Sequence, residues 1–347
     1  MDQTRRPRLS PAMADVRRAV REVLPTAPRL EHVEPGPLVL VALSGGPDSL
    51  ALAAATAFEA PRAGLRAGAV IVDHGLQKGS ADVAARAAEQ ARELGLDPVL
   101  VRAVIVGTDG GPEAAARAAR YAALDAAAEE TGAELVLLGH TMDDQAETVL
   151  LGLARGSGAT SLHGMAPSTS SGDGTSSGRG VTYARPLLGI RRTTTLQFCK
   201  DSGLDPWIDP HNADPEFARV RVRETVLPLL ERELGPGITE ALARTADQLR
   251  EDGDALDHFA EELAEELAEL AESGISLPVR ALTSNPPALR QRLIRLAVES
   301  EFHVSLSRAQ TLEVARLVTH WHGQKPLDLP GVRVERQGGL LIFTANG

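Results

Sequence analysis

Cysteine, lysine, aromatic rings and long apolar runs are all scarce in this 347-residue chain, and each shortage excludes something. Cys199 is the only cysteine. That rules out a disulfide framework, a Cys-rich zinc site and any mechanism needing a pair of thiols, and it fits a reducing cytoplasm. Lysine occurs only at 78, 200 and 325, so the basic residues are nearly all arginine. Ala-, Gly- and Arg-rich usage fits genomic bias and carries little functional weight. Aromatics make up 3%, which leaves few platforms for base stacking; Trp207 is one candidate, and a place in the core suits it equally. No apolar stretch approaches a membrane span: "LVLVAL" and "LVLLG" are strand-sized. The N-terminus is basic without an apolar segment before Val39, so no secretory signal is visible. The expected location is cytoplasmic, with no membrane partner.

What is present is a globular composition, 43% hydrophobic, long enough for two or three domains. The net charge of −11 argues at first against a nucleic-acid partner, but its distribution changes that. Residues 231–272 hold fourteen acids against three arginines, whereas 280–336 hold nine basic residues against five acids. The acidic stretch is a solvated helix face and the basic clusters lie elsewhere, which permits RNA binding without demonstrating it.

Along the chain, "PAMADVRRAVREVL" at 11–24 predicts an amphipathic helix. Strand-sized runs then alternate with helical patterns: "LVLVAL", a helix from Pro47, "AGAVIVD", a helix over 80–94, "PVLVRAV", a helix over 112–130, "ELVLLG" and a helix over 143–153. This predicts an α/β fold, a parallel sheet flanked by helices, with ligands beyond the carboxyl ends of the strands. Residues 167–180 are low-complexity and read as a mobile loop. A mainly helical C-terminal domain follows: a long acidic helix over 238–270, helices in "NPPALRQRLIRLAVE" and "SRAQTLEVARLV", and a hairpin in "PGVRVERQGGLLIF". The domain expectation is an N-terminal extension with a helix (1–35), a ligand-binding α/β domain (36–230) and a helical domain with a terminal hairpin (231–347).

The decisive stretch is "LVLVALSGGPDSLALAAA" at 38–55. Gly45 and Gly46 let the backbone approach a ligand and adopt positive φ. Ser44 and Ser49 offer hydroxyls, Pro47 suits a first helical turn, and the helix N-terminus presents free N–H groups. Together they make an anion site suited to phosphate. It is not the Walker sequence, since its spacing and lysine are absent. Asp48 makes sense there as a Mg²⁺ holder. Read alone, the stretch also admits the lesser alternative of a tight strand-to-helix turn with a serine cap.

S-G-G-x-D-S after a first strand resembles the signature of the PP-loop ATP pyrophosphatases, which cleave ATP between the α and β phosphates. Further motifs resemble those of the tRNA(Ile)-lysidine synthases: "VDHGLQKGS" at 72–80, "PEAAARAARYAAL" at 112–124, "LGHTMDDQAETVLLGLARGSGATSLHGM" at 138–165, "RPLLGIRR" at 185–192 and "DPHNADPEFARVRVRETVLPLL" at 209–230. The series spans about 38–230, in order. Gln77, Thr141, Ser161, His211 and Val220 depart from the family pattern, and the chain resembles a short form lacking the last C-terminal domain.

The resemblance implies a Rossmann-like PP-loop domain, a helical tRNA-binding domain, ATP as co-substrate and Mg²⁺. The implied partners are tRNA(Ile) with a CAU anticodon and L-lysine; a homodimer stays open. The implied reaction joins lysine to C2 of the wobble cytidine through an adenylated base. Ser44, Gly45, Gly46, Pro47, Asp48, Ser49, Asp73, His74 and Gly139 would bind the nucleotide. Asp48 and Asp144 would hold metal and serve catalysis, with Arg117, Arg120 and His140 also catalytic. Glu147 and Asp143 would hold lysine, and Arg185, Arg192, Arg219, Arg221 and Arg223 would contact tRNA. From spacing alone, the acids at 143, 144 and 147 also suit a helix N-terminus, and Glu113–Arg117 a surface ion pair. The rival readings are another PP-loop tRNA-modifying or adenylating enzyme and a non-catalytic nucleotide sensor.

Overall fold

Leu38–Ala42 (β1) is buried along its whole length. Val39 and Val41 enter one apolar cluster, while Leu38, Leu40 and Ala42 enter another on the opposite face. A strand covered on both sides has no reason to alternate with polar residues, which is why it reads as an unbroken apolar run. The computed structural model describes residues 9–25, 36–75, 79–107, 111–156, 158–171, 180–209, 214–267, 269–271 and 274–346. The Gln77 and His211 departures lie outside these residues.

β1 pairs in parallel with Arg66–Asp73 (β2) on one side and Leu135–Leu138 (β4) on the other. Val99–Ala103 (β3) extends the sheet beyond β2, and Thr182–Ala184 (β6) extends it beyond β4, both parallel. Ser168–Ser170 (β5) closes the edge antiparallel to β6, giving the order β3-β2-β1-β4-β6-β5. β5 falls at the start of the segment read as a mobile loop. Its backbone pairs with β6, and Ser171 N–H donates to the Val181 carbonyl at 2.8 Å, so this part is an edge strand.

Helices Pro47–Glu59 (α2), Ser80–Glu93 (α3), Pro112–Thr131 (α4) and Met142–Ala154 (α5) each follow their strand as the alternation predicts. The chain order reverses between β1 and β4, so the carboxyl ends of these two strands form the crevice where such folds bind ligands. The N-terminal helix Pro11–Val23 (α1) buries Ala12, Val16 and Val20, spaced four apart, in the same core as α2. Arg21 reaches from α1 to the buried Glu59 carboxylate at 2.8 and 2.9 Å. Ala159–Leu162 (α6) is a short turn, and Arg192–Asp201 (α7) packs Phe198 and Cys199 into that core. The Cys199 thiol donates to the Pro47 carbonyl at 3.4 Å, directly beneath the first turn of α2.

Ala218–Arg221 (α8), a π-helical turn at Val222–Val226 and Leu227–Leu234 (α9) form one continuous helical path, which breaks at Gly235 and Gly237 before Ile238–Leu267 (α10). The chain divides into two compact units, Met1–Asp247 and Gln248–Gly347, inside α10 rather than at 230/231. Arg191 Nη1 donates to Glu240 Oε1 at 2.6 Å, which ties the first turn of α10 into the first unit.

The second unit contains Val279–Ser284 (α11), Pro287–Phe302 (α12) and Arg308–Thr319 (α13), together with a five-stranded antiparallel sheet. Glu269–Ala271 (β7), Gly274–Pro278 (β8) and Leu327–Leu329 (β9) join the expected hairpin, Val332–Gln337 (β10) and Leu340–Ala345 (β11). The sheet order is β7-β8-β11-β10-β9. Leu293, Ile294, Val298, Val314, Val334 and Phe343 lie in its core. The long acidic helix ends at Leu267, three residues before the expected limit, and the chain then enters β7. Among the described residues, no helix is long and apolar enough to cross a membrane.

Candidate active site

The site begins where β1 ends. Gly45 has φ 82°, which a side chain would strain, and Gly46 caps α2 with Pro47 in its first turn. Ser49 Oγ accepts from Ser44 N–H at 3.2 Å, lies 3.0 Å from Ser44 Oγ and donates to the Gly46 carbonyl at 3.1 Å. The turn is thereby held open with its backbone amides at a helix N-terminus, the physical requirement for an anion cradle. Gly139, at the end of β4, presses against this turn. A Cβ there would stand 3.1 Å from both Cα and N of Ser49.

Opposite the turn, α5 presents its acids. Thr141 N–H and Oγ1 both donate to Asp144 Oδ2 at 2.8 Å, so the Thr141 departure supplies the helix cap. The free oxygen of Asp144, Oδ1, accepts from Arg192 Nη2 at 2.8 Å. The same guanidinium donates through Nη1 to Glu147 Oε1 at 3.2 Å and through Nε to Asp48 Oδ2 at 3.3 Å. Arg223, in the π-helical turn, grips Glu147 with Nε at 2.7 Å and Nη2 at 3.0 Å, and Arg219 Nε lies 3.4 Å from Glu147 Oε2. Glu147 is fully buried beneath these arginines, with side-chain exposure of 0%. Burial raises the Asp48 carboxyl above its ordinary range, against the opposing pull of Thr195 and Arg192. Burial acts in the same direction on Asp144, but Arg192 and the Thr141 amide outweigh it and hold that carboxyl low.

A cleft of about 550 Å³ opens between these groups, lined by Ser44, Gly46, Asp48, Ser49, Gly139, His140, Asp144, Arg120, Arg192 and Trp207, among others. A second cavity, about 270 Å³, shares Ser44 and Trp207 and adds Asp73 and His74 from the end of β2. The Trp207 N–H donates to the Gly45 carbonyl at 2.9 Å, which pins this residue to the turn between both spaces. His140 is pushed down to about 4, chiefly by burial, and is therefore neutral near pH 7; its Nδ1 has no hydrogen-bond partner among the described residues. Burial also lowers His74.

The α4 arginines separate. Arg120 lines the cleft, has no hydrogen-bond or ion-pair partner among the described residues, and is lowered by burial. Arg117 is exposed, stacks 4.9 Å over the Tyr121 ring and donates to its hydroxyl at 3.3 Å.

Several residues expected to meet substrate are engaged by other groups of the protein. Asp143 accepts from Arg192 N–H at 2.8 Å and Arg191 Nε at 3.3 Å, so it caps α7 instead of lining the cleft. Arg185 is 5% exposed and donates to the Ala166 carbonyl at 2.8 Å and to the Tyr121 and Thr169 hydroxyls, so it holds the β5–β6 edge rather than facing a polyanion. Arg192, Arg219 and Arg223 turn onto the carboxylates, and Arg221 is exposed and holds the Pro215 and Glu216 carbonyls at 2.7 Å. Thr195, whose buried hydroxyl donates to Asp48 Oδ1, escaped sequence reading. It sits in a run of three threonines on α7, with no signal to single it out. Among the described residues, no cluster of three or more His, Cys, Asp or Glu could hold a metal by itself.

The PP-loop domain family matches residues 18–230 and the TilS substrate binding domain family matches 277–341. The first match, with the turn and cleft just described, makes this a PP-loop enzyme of the ATP-using class. The chain is 65% identical to a tRNA(Ile)-lysidine synthase of Leifsonia xyli, over 91% of its own length and 92% of that protein's. It is 52% identical to the Thermobifida fusca tRNA(Ile)-lysidine synthase, over 97% and 98% of the two chains. The chain belongs to the tRNA(Ile)-lysidine synthase family. Among solved structures, a U34-tRNA thiolase from Methanococcus maripaludis shares the fold, with a TM-score of 0.53 and 21% identity over 69% of this chain and 80% of that one.

Proposed function

We propose that this enzyme joins L-lysine to C2 of the wobble cytidine of a CAU-anticodon tRNA(Ile), using ATP, in the cytoplasm. One observation supports the reading above all: a phosphate-binding turn and a carboxylate pocket face one another across a single cleft, at the ends of the neighbouring strands β1 and β4. ATP would set its departing diphosphate against the Ser44–Ser49 turn and its nucleoside toward Asp73 and His74. The cytosine O2 attacks the α-phosphorus, diphosphate leaves, and the base becomes an O-adenylate. The lysine amine then attacks C2, and the C2–O bond to AMP breaks.

Each step has a residue suited to it. Arg120, charged and unpartnered among the described residues, would meet the negative charge that develops at the phosphorus. Asp144 and Glu147 would attract the cationic amine. Neutral His140 is available to take the proton the amine must shed before it can attack. Asp48 and Asp144 fit Mg²⁺ in the way such ions are usually bound, by one or two carboxylates plus substrate phosphate oxygens. When bound, the ion would neutralise charge on the leaving diphosphate. The second unit, with its arginine-rich helices, would bind the tRNA body, and the exposed Arg221 would meet RNA phosphate. The base must leave its stack to bring C2 into the cleft.

The test is incubation with ATP, radiolabelled lysine and CAU-anticodon tRNA(Ile), beside the same tRNA with that cytidine replaced. Label should enter only the first RNA, with one AMP released per lysine joined. Label absent from both would reject the reading.

A further inference from the structure

We propose that Arg192 occupies the amine site as a built-in stand-in cation, and that bound ATP draws it away, so that nucleotide must precede lysine. The inference rests on the substrate reading above. Its basis is that Glu147, the acid assigned to the amine, is closed off. Its carboxylate has no exposed surface and is covered by Arg192, Arg219 and Arg223. Three carboxylates, Asp48, Asp144 and Glu147, face three guanidiniums in this cluster, and the charges balance. An added ammonium would leave a surplus positive charge in a poorly hydrated place, which is costly unless a cation departs.

The geometry identifies which cation departs. Arg223 holds Glu147 through two parallel bonds and lies 3.8 Å from Asp144, while Arg219 is also held by the Thr148 hydroxyl at 3.0 Å. Arg192 is divided among three acids, with two of its three bonds at 3.2 and 3.3 Å. It alone of the three reaches Asp48, within the phosphate turn, and it lines the cleft beside Ser44, Gly46 and Ser49. A triphosphate seated on that turn offers the guanidinium oxygens of higher charge and matching fork geometry. Transfer of Arg192 to phosphate leaves Asp144 and Glu147 one positive charge short, a vacancy an ammonium fills. Arg192 would then also serve as a phosphate ligand during diphosphate departure. The exchange keeps the amine away until an electrophile can form.

Equilibrium dialysis of radiolabelled L-lysine against the full chain, without tRNA, tests this. In the wild type, a non-hydrolysable ATP analogue with magnesium should raise lysine affinity about tenfold or more, and lysine should raise analogue affinity by the same factor. In Arg192→Gln, lysine should bind without the analogue, and the dependence should fall below about twofold. Arg192→Lys retains the charge but cannot span three acids; if the glutamine variant does not fold, it should show the same loss of dependence, smaller in size. Equal lysine affinity with and without analogue in the wild type overturns the proposal while leaving the substrate reading intact. Full dependence retained in both variants also overturns it. No lysine binding under any condition overturns both.

Discussion

Replacing Arg120 by methionine should slow the enzyme and stabilise the fold at once. The substitution keeps the aliphatic stem and removes a half-buried guanidinium that has no partner among the described residues and whose charge burial disfavours. Among the described residues nothing pairs with that charge, and its place at the cleft suits the proposed contact with an anion. Loss of a positioned donor to developing negative charge costs about 10²–10³ in rate, roughly 3–4 kcal/mol. Relief from an uncompensated charge acts in the opposite direction on stability. Each 1 kcal/mol recovered raises the melting point of a unit this size by about 2–4 °C. tRNA-dependent ATP–diphosphate exchange measures the first effect and thermal unfolding of the same sample the second. Arg117→Met is the control: its guanidinium is exposed and rests on Tyr121, so exchange should change by less than about fivefold. An Arg117 variant as slow as the Arg120 variant, or an Arg120 variant that melts earlier than wild type, would refute the assignment.

Gly139→Ala should place a methyl 3.1 Å from the Ser49 backbone, which cannot yield without moving the phosphate turn. It should cost about 1–3 kcal/mol in denaturant unfolding and weaken nucleotide binding in a fluorescence titration. Arg185→Met should lower stability, yet leave the salt dependence of tRNA binding unchanged, whereas loss of a true phosphate contact would reduce that slope by about one. Folding stability should fall with pH below about 6.5. His140 takes up its proton near 6.5 when unfolded but only near about 4 when folded, so the unfolded chain holds more protons in between. Denaturant titrations across this window should show the fall flattened in His140→Gln.

Strands β1 to β4 were legible because they are apolar runs between helical patterns, and in β1 burial on both faces leaves no other pattern to expect. The five strands β5 to β9 were not. β5 is Ser-Thr-Ser within a low-complexity segment, and its pairing is carried by backbone bonds that no side chain announces. β7 continues the alanine–glutamate run of α10, where helix propensity argues the wrong way. β9 is only Leu-Asp-Leu. In the site, the turn at 44–49 was readable because its components are contiguous. The carboxylate partners of the arginines were not legible because they are remote: Arg192 meets Glu147 from 45 residues away and Arg223 from 76. Alternating arginines look the same whether they face water or a buried acid, and Arg223 reaches its acid from a π-helical turn that no periodicity foretells.

Cys199 turns the floor of the nucleotide turn into something that can be timed. The chain's only sulfhydryl is 1% exposed against the Pro47 carbonyl, and burial pushes it up to about 12, so an alkylating reagent has almost no thiolate to attack while the core is shut. Modification must wait for α7 to part from α2, and its rate counts those openings. ATP at a hundred times its dissociation constant should slow that clock about a hundredfold, with no label, tag or engineered residue added to the protein.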